Sequence, residues 1–186
     1  MEKAQTIWNF NAGPAVLPQS VLAEVAEAIR DYNGSGMSIL EIPHRGRLFD
    51  TIMEESRALV KELCGLNDDY EVLWLPGGRL QFSMIPMNFL AEDKTAGYID
   101  SGSWADEALR YGRYYGNVSV LASSKEQCYT HYPECPSGIT EELAYIHLTT
   151  NNTIYGTQCH TLPAVQAPLI ADMSSDILSM KRDYTR

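Results

Sequence analysis

A chain of 186 residues, 45% of them hydrophobic, is long enough to bury one good core, as one domain or as one and a half. Its formal charge of −10 excludes a general nucleic-acid binder, which needs a basic face, so an anionic ligand has to be held by local arginines. No apolar run approaches membrane-spanning length, Met1–Thr6 carries no secretory pattern, and the four scattered cysteines form no disulfide framework, so a cytoplasmic protein with reduced thiols is expected.

The chain begins extended through Phe10-Asn11-Ala12-Gly13-Pro14-Ala15-Val16-Leu17. Pro18 stands where a helix begins, because its missing N–H is not needed there. Val21, Leu22, Val25, Ala28, Ile29 and Tyr32 then mark a helical stripe that Asn33-Gly34-Ser35-Gly36 ends. Met37–Ile42 reads as a short extended piece stopped by Pro43, followed by the loop His44-Arg45-Gly46-Arg47. A second helix carries Leu48, Phe49, Ile52, Met53, Leu59, Val60 and Leu63 on one face and stops near Gly65. Asn67-Asp68-Asp69 turns the chain into Val72-Leu73-Trp74-Leu75, which has the composition of a short buried strand. Pro76-Gly77-Gly78 forces a turn, and a helix opens at Arg79 with Leu80, Met84, Met87 and Leu90 at helical spacing.

The same grammar repeats. Tyr98-Ile99-Asp100 is a strand end, Ser101-Gly102-Ser103 a turn and candidate N-cap, and Trp104–Tyr115 a helix. Val118–Leu121 is a strand, and Ser123–Gly138, with Pro133 and Pro136, reads as loop without regular structure. Ala144–Leu148 is a strand followed by polar Thr149-Thr150-Asn151-Asn152-Thr153. Leu169-Ile170-Ala171 is a strand ending in Asp172-Met173-Ser174-Ser175. Strands alternating with helices predict an α/β fold, a mostly parallel mixed sheet flanked by helices.

In such sheets the ligand lies beyond the carboxyl ends of the strands, where Gly78-Arg79, Ser103-Trp104, Thr153 and Asp172 would converge. Backbone N–H groups opening a helix after a glycine turn make a site for a phosphate, and Arg79 adds a planar cation; an ordinary strand-to-helix turn has the same spelling. Together the four positions describe a pocket for a flat, charged, phosphorylated ring. Cys128-x-x-His131-x-x-x-Cys135 with Cys159-His160 offers soft metal ligands but lacks the paired short-spaced halves of a zinc site, so no metal is expected.

Six ordered motifs carry a resemblance: Phe10-Asn11-x-Gly13-Pro14-Ala15-x-Leu17-Pro18; His44-Arg45-Gly46; Gly77-Gly78-Arg79-x-Gln81-Phe82; Asp100-x-Gly102-x-Trp104; Asn152-Thr153-Ile154-x-Gly156; and Ala171-Asp172-x-Ser174-Ser175. Nearly end to end, the chain resembles the phosphoserine aminotransferase family, pyridoxal-phosphate enzymes of fold type I among the class-V aminotransferases. The resemblance implies roles by position. Backbone N–H groups of Gly78 and Arg79 would hold the phosphate of pyridoxal 5'-phosphate, Trp104 would stack on its ring, Thr153 would contact it, and Asp172 would pair with the ring nitrogen. His44 and Arg45, joined by Arg79, would meet the acidic end of the substrates phosphoserine and glutamate or 2-oxoglutarate, a guanidinium fork serving phosphate and carboxylate alike. Pro76 departs from relatives that have glycine or a polar residue there, and removes one donor from the turn.

The larger departure concerns lysine. The family forms a Schiff base on a lysine about one strand and turn beyond the ring-nitrogen Asp, and none of Lys3, Lys61, Lys94, Lys125 and Lys181 stands in that context. The expectation is therefore that residues 1–186 are the N-terminal segment plus most of the large cofactor-binding domain, without the small C-terminal domain. In that reading the opening strand lacks its neighbour, so the chain is expected to pack against the remainder as a separate chain and to form a homodimer when complete. A non-catalytic, cofactor-binding or dimer-forming remnant of the same fold is the alternative.

Overall fold

The computed structural model describes residues 7–136, 138–139 and 142–185. Lys3, the rest of the first six residues, Ser137 in the 123–138 loop, and Arg186 lie outside the described residues. The chain divides into two compact units, residues 7–73 with 183–185, and residues 74–182.

The first unit holds two helices, α1 (Gln19–Arg30) and α2 (Arg47–Cys64). Pro18 takes the cap position of α1, its carbonyl accepting from the Leu22 N–H at 3.1 Å. Gly65, left-handed with φ 66°, ends α2 while the Leu66 N–H reaches back to the Lys61 carbonyl at 2.9 Å, a turn that a side chain at 65 would strain. Both apolar stripes are where periodicity puts them, yet Cys64 is the one buried residue among those described in this unit. The extended piece expected at Met37–Ile42 is instead a turn. Ser38 and Glu41 close it, with the Glu41 N–H on the Ser38 carbonyl at 2.9 Å and the Ser38 N–H on the Glu41 carboxylate at 3.1 Å. Serine and glutamate satisfying local backbone groups outcompete a strand that has no ladder to join.

The second unit is built on a four-stranded sheet of β1 (Thr95–Asp100), β2 (Asn117–Ser123), β3 (Leu143–Thr149) and β6 (Leu169–Asp172), in the order β2-β1-β3-β6. Every pairing in it is parallel, so all four carboxyl ends face one way. Side chains alternate between faces. On one face, Ala96, Tyr98 and Tyr145 pack with Phe82 of α3 (Gln81–Phe89) and with Ala108 and Leu109 of α4 (Ser103–Gly112). On the other, Ile99, Ile146 and Leu148 pack under Tyr132, Cys135, Leu162 and Val165, which come from connecting segments. Helices thus flank one face of this sheet, and irregular chain covers the other. Gly97 lies where β1 meets that second cluster: a Cβ there would sit 2.6 Å from Leu121 Cδ1 and 2.9 Å from Leu143 Cδ1.

Three local expectations change. Val72–Leu75 belongs to no strand, and Leu73 and Leu75 are 69% and 53% exposed. Strand composition without an adjacent ladder does not make a strand, and the boundary between the two units falls at Leu73 and Trp74. The 123–138 loop contains a turn of 3-10 helix at Lys125–Gln127. The polar run after β3 is a small antiparallel hairpin of β4 (Asn151–Asn152) and β5 (Thr157–Gln158).

Candidate functional site

The parallel sheet gathers the polar strand ends at one edge of the second unit. Asp172 ends β6, directly opposite Thr149 at the end of β3. The residue is 6% exposed, and its Oδ1 accepts hydrogen bonds from the Ser174 N–H at 3.1 Å and the Ser174 hydroxyl at 2.6 Å. Ser174 also reaches the glycine turn: a Cβ built on Gly78 would lie 3.5 Å from its Oγ. Gly77, with φ 69°, makes that turn, and Gly78–Leu80 continue as a 3-10 turn into α3. One serine therefore links the proposed phosphate end of the site to its carboxylate.

Arg79 is held from the side. Its Nη2 donates to both oxygens of Glu107, at 2.7 and 2.8 Å, and its guanidinium lies 5.5 Å from the centre of the Trp104 ring. Trp104 and Glu107 are three residues apart on α4 and so share a face. The hydrogen bond to Glu107, with its negative charge, raises the Arg79 pKa. Trp104 is half-buried, its ring packing at the margin of the first core cluster while its Nε1 donates to the Thr153 hydroxyl at 3.3 Å.

Gly102 takes the cap of α4 in place of Ser103, which is the first helical residue and faces the Tyr155 hydroxyl at 3.5 Å. Position 102 leaves no room for a side chain: a Cβ there would lie 2.6 Å from the Asn152 Oδ1. Asn152 is 1% exposed and donates to the hydroxyls of Ser101 and Thr157, both at 3.2 Å, which fixes the backbone just before Thr153. Behind it, Asp176 accepts from Arg182 at 2.8 Å, from Gln158 at 3.3 Å and from the Thr150 hydroxyl.

The structure thus brings Gly78, Arg79, Trp104, Thr153 and Asp172 together within one unit through Ser174, Glu107 and Asn152. His44 and Arg45 lie in the first unit, exposed on the turn that the Gly46 N–H closes on the Pro43 carbonyl at 2.9 Å. Among the described lysines, Lys94 precedes β1 and pairs with Glu142 at 2.6 Å, and Lys125 pairs with Asp106 at 2.8 Å. Each carboxylate, hydrogen-bonded to its lysine, raises that lysine's pKa, the reverse of what an amine nucleophile needs. Lys61 stands 3.9 Å from Asp68, and Lys181 is exposed. Among the described residues no group of three or more His, Cys, Asp or Glu could hold a metal ion, and no helix is long and apolar enough to cross a membrane.

Sequence reading gave no role to Glu107, Asn152, Ser174 or His147. Two of them had a signal: Glu107 stands three residues after Trp104 on a helix, and Ser174 stands two after an Asp at a strand end, the spacing of an Asx-type turn.

The sequence matches the family Aminotransferase class-V over residues 7–186. It is 45% identical over 179 residues to the phosphoserine aminotransferase of Bacillus subtilis, covering 96% of this chain and 50% of that protein. With the enzyme of the same name from Flavobacterium psychrophilum the identity is 47% over 180 residues, covering 96% and 50%. Among solved structures, the phosphoserine aminotransferase of Bacillus circulans subsp. alkalophilus superposes with a TM-score of 0.88 at 44% identity, covering 94% of this chain and 49% of that one. The pyridoxal-phosphate-bound phosphoserine aminotransferase of Trichomonas vaginalis gives 0.78 at 31% identity, covering 89% and 47%. The chain spans about half the length of the curated relatives it matches. From a match running almost its full length, this chain belongs to the class-V aminotransferase family.

Proposed function

We propose that this chain forms the cofactor-holding part of a phosphoserine aminotransferase, which converts O-phospho-L-serine and 2-oxoglutarate to 3-phosphohydroxypyruvate and L-glutamate in serine biosynthesis in the cytoplasm. The observation that carries the reading is the position of Ser174, which hydrogen-bonds Asp172 and lies where a side chain on Gly78 would reach, so that the glycine turn stands near a buried, oriented carboxylate. Those residues suit pyridoxal 5'-phosphate: N–H groups for its phosphate at Gly78 and Arg79, an aromatic face at Trp104, a hydroxyl at Thr153, and a fixed anion at Asp172 for its ring nitrogen. When bound, the cofactor supplies an electron sink for cleavage of the substrate Cα–H bond. Asp172 keeps a proton on the ring nitrogen, and Ser174 keeps Asp172 aimed by occupying one of its oxygens. Thr153 fixes the edge of the indole, and Glu107 fixes the guanidinium of Arg79 at the mouth.

His44, Arg45 and Arg79 are the proposed contacts for the substrate's phosphate or second carboxylate. Residues 1–186 are proposed as the N-terminal segment plus most of the large domain, working in a homodimer with a further segment that carries the Schiff-base lysine; none of the chain's five lysines is assigned that role. Fluorescence titration with pyridoxal phosphate tests the cofactor site. Quenching of tryptophan emission that Trp104→Phe diminishes and Asp172→Ala weakens by about tenfold or more supports it. Identical affinity in the Asp172→Ala protein overturns it.

A further inference from the structure

His147 is the one histidine inside the second unit's core. It is 2% exposed in the middle of β3, stacked on Tyr98 with ring centres 5.3 Å apart, and met edge-on by Phe82 at 6.4 Å. Neither ring nitrogen has a hydrogen-bond partner among the described residues. Two residues along the same face, the Thr149 hydroxyl is also buried without a partner. Thr149 is the register neighbour of Asp172, as His147 is of Ile170, so imidazole, hydroxyl and carboxylate line one face of β3 and β6.

A neutral imidazole has one donor and one acceptor, and leaving both unmade in an apolar interior is destabilising. Burial depresses the His147 pKa to about 4, so protonation does not resolve the conflict near neutral pH. A water molecule eases it, because it can pair with one ring nitrogen and with the threonine hydroxyl and still donate to a carboxylate; the two ring nitrogens point apart, so one water serves one of them. The neighbouring Tyr98 hydroxyl is already engaged with Tyr145 at 3.0 Å.

We propose that His147 and Thr149 hold a buried water molecule on this face of the sheet, and that through it His147 is a positioning residue for Asp172. The inference rests on the proposed pairing of Asp172 with the cofactor's ring nitrogen. It adds a second support, on the β3 side of the carboxylate, to that of Ser174, which grips Oδ1 from the following turn.

The test has two parts. A high-resolution crystal structure of the full chain shows an ordered water within hydrogen-bond distance of a His147 ring nitrogen and Thr149 Oγ1; a dry slot overturns the proposal. Equilibrium binding then compares pyridoxal phosphate with its analogue carrying C–H in place of the ring nitrogen. His147→Phe weakens pyridoxal phosphate by about tenfold and leaves the analogue unchanged, while His147→Gln, which keeps a donor and an acceptor, restores most of the loss. Equal weakening of both ligands by His147→Phe makes the residue merely structural and overturns the positioning role. Asp172→Ala separates the two readings. If Asp172→Ala weakens both ligands equally or weakens neither, or the unsubstituted chain binds neither, the ring-nitrogen reading falls and takes the positioning role with it. The crystal structure then still decides the water.

Discussion

The ion pair between Arg182 and Asp176 offers the sharpest test of how the site is braced. Their side chains are 4% and 2% exposed and meet at 2.8 Å. The same guanidinium nitrogen donates to the Cys159 carbonyl at 2.9 Å, while Asp176 also accepts from Thr150 and Gln158. Arg182→Met removes the counter-charge and leaves a buried carboxylate with only neutral donors. Breaking a buried pair in this way costs about 3–5 kcal/mol, against about 0–1 kcal/mol for an exposed one. At the urea dependence of small proteins the midpoint of unfolding falls by roughly 2 M. Asp176→Asn with Arg182→Met recovers part of the loss, since no unpaired charge then remains. Hydrogen exchange localises the effect, because the Thr150 and Cys159 amides, bonded to the Asp172 and Thr150 carbonyls, lose protection first. A midpoint lowered by less than about 0.5 M would refute the reasoning, since a pair of that strength behaves as a surface pair.

Three further outcomes follow from single side chains. His147 is held neutral down to about pH 4 in the folded state, by burial against the opposing charge of Asp172, whereas the unfolded chain protonates it near 6.5. The unfolded state binds more protons between those values, so stability falls as pH drops through that window by about 3 kcal/mol, and His147→Phe flattens the curve of stability against pH there. Gly112→Ala drives a methyl group into the Tyr98 ring, whose Cζ would lie 2.9 Å from it, and lowers stability by about 1–3 kcal/mol in thermal unfolding. Gly102→Ala pushes Asn152 away and with it the Thr153–Trp104 contact; it weakens pyridoxal phosphate binding while helix content by circular dichroism stays unchanged.

Periodicity was enough to place both helices of the first unit, because an apolar residue every third or fourth position is written in the sequence whether or not anything covers it. It could not reveal that their stripes lie largely exposed, since burial is decided by neighbours. Val72–Leu75 failed for the same reason from the other side: composition records the wish for a ladder, and only a second strand grants it. The β4–β5 hairpin was hidden because its two-residue strands are polar and are held by Asn152 side-chain bonds, not by an apolar alternation. Of the candidate site, the shared edge of Trp104 and Asp172 was legible because both lie at or just beyond strand ends of a parallel sheet, whereas Gly78 follows no strand. His147 was not: within Ala144–Leu148 it reads as one polar residue in an apolar strand, and only the register shows that Asp172 lies on its face.

The pairing of β1 also orders how the chain assembles. Thr95 pairs with Asn117 on one side and with Leu143 on the other, and Ile146 of β3 pairs with Leu169. Loop closure becomes more costly with length. The β1–β2 and β3–β6 pairings each close about twenty residues of chain, whereas β1 and β3 meet only across more than forty. Chain entropy therefore favours two strand pairs that close separately, one carrying Trp104 and Gly102 in its crossover and the other ending in Asp172. A ligand that requires both Trp104 and Asp172 meets its site only when β1 and β3 have joined.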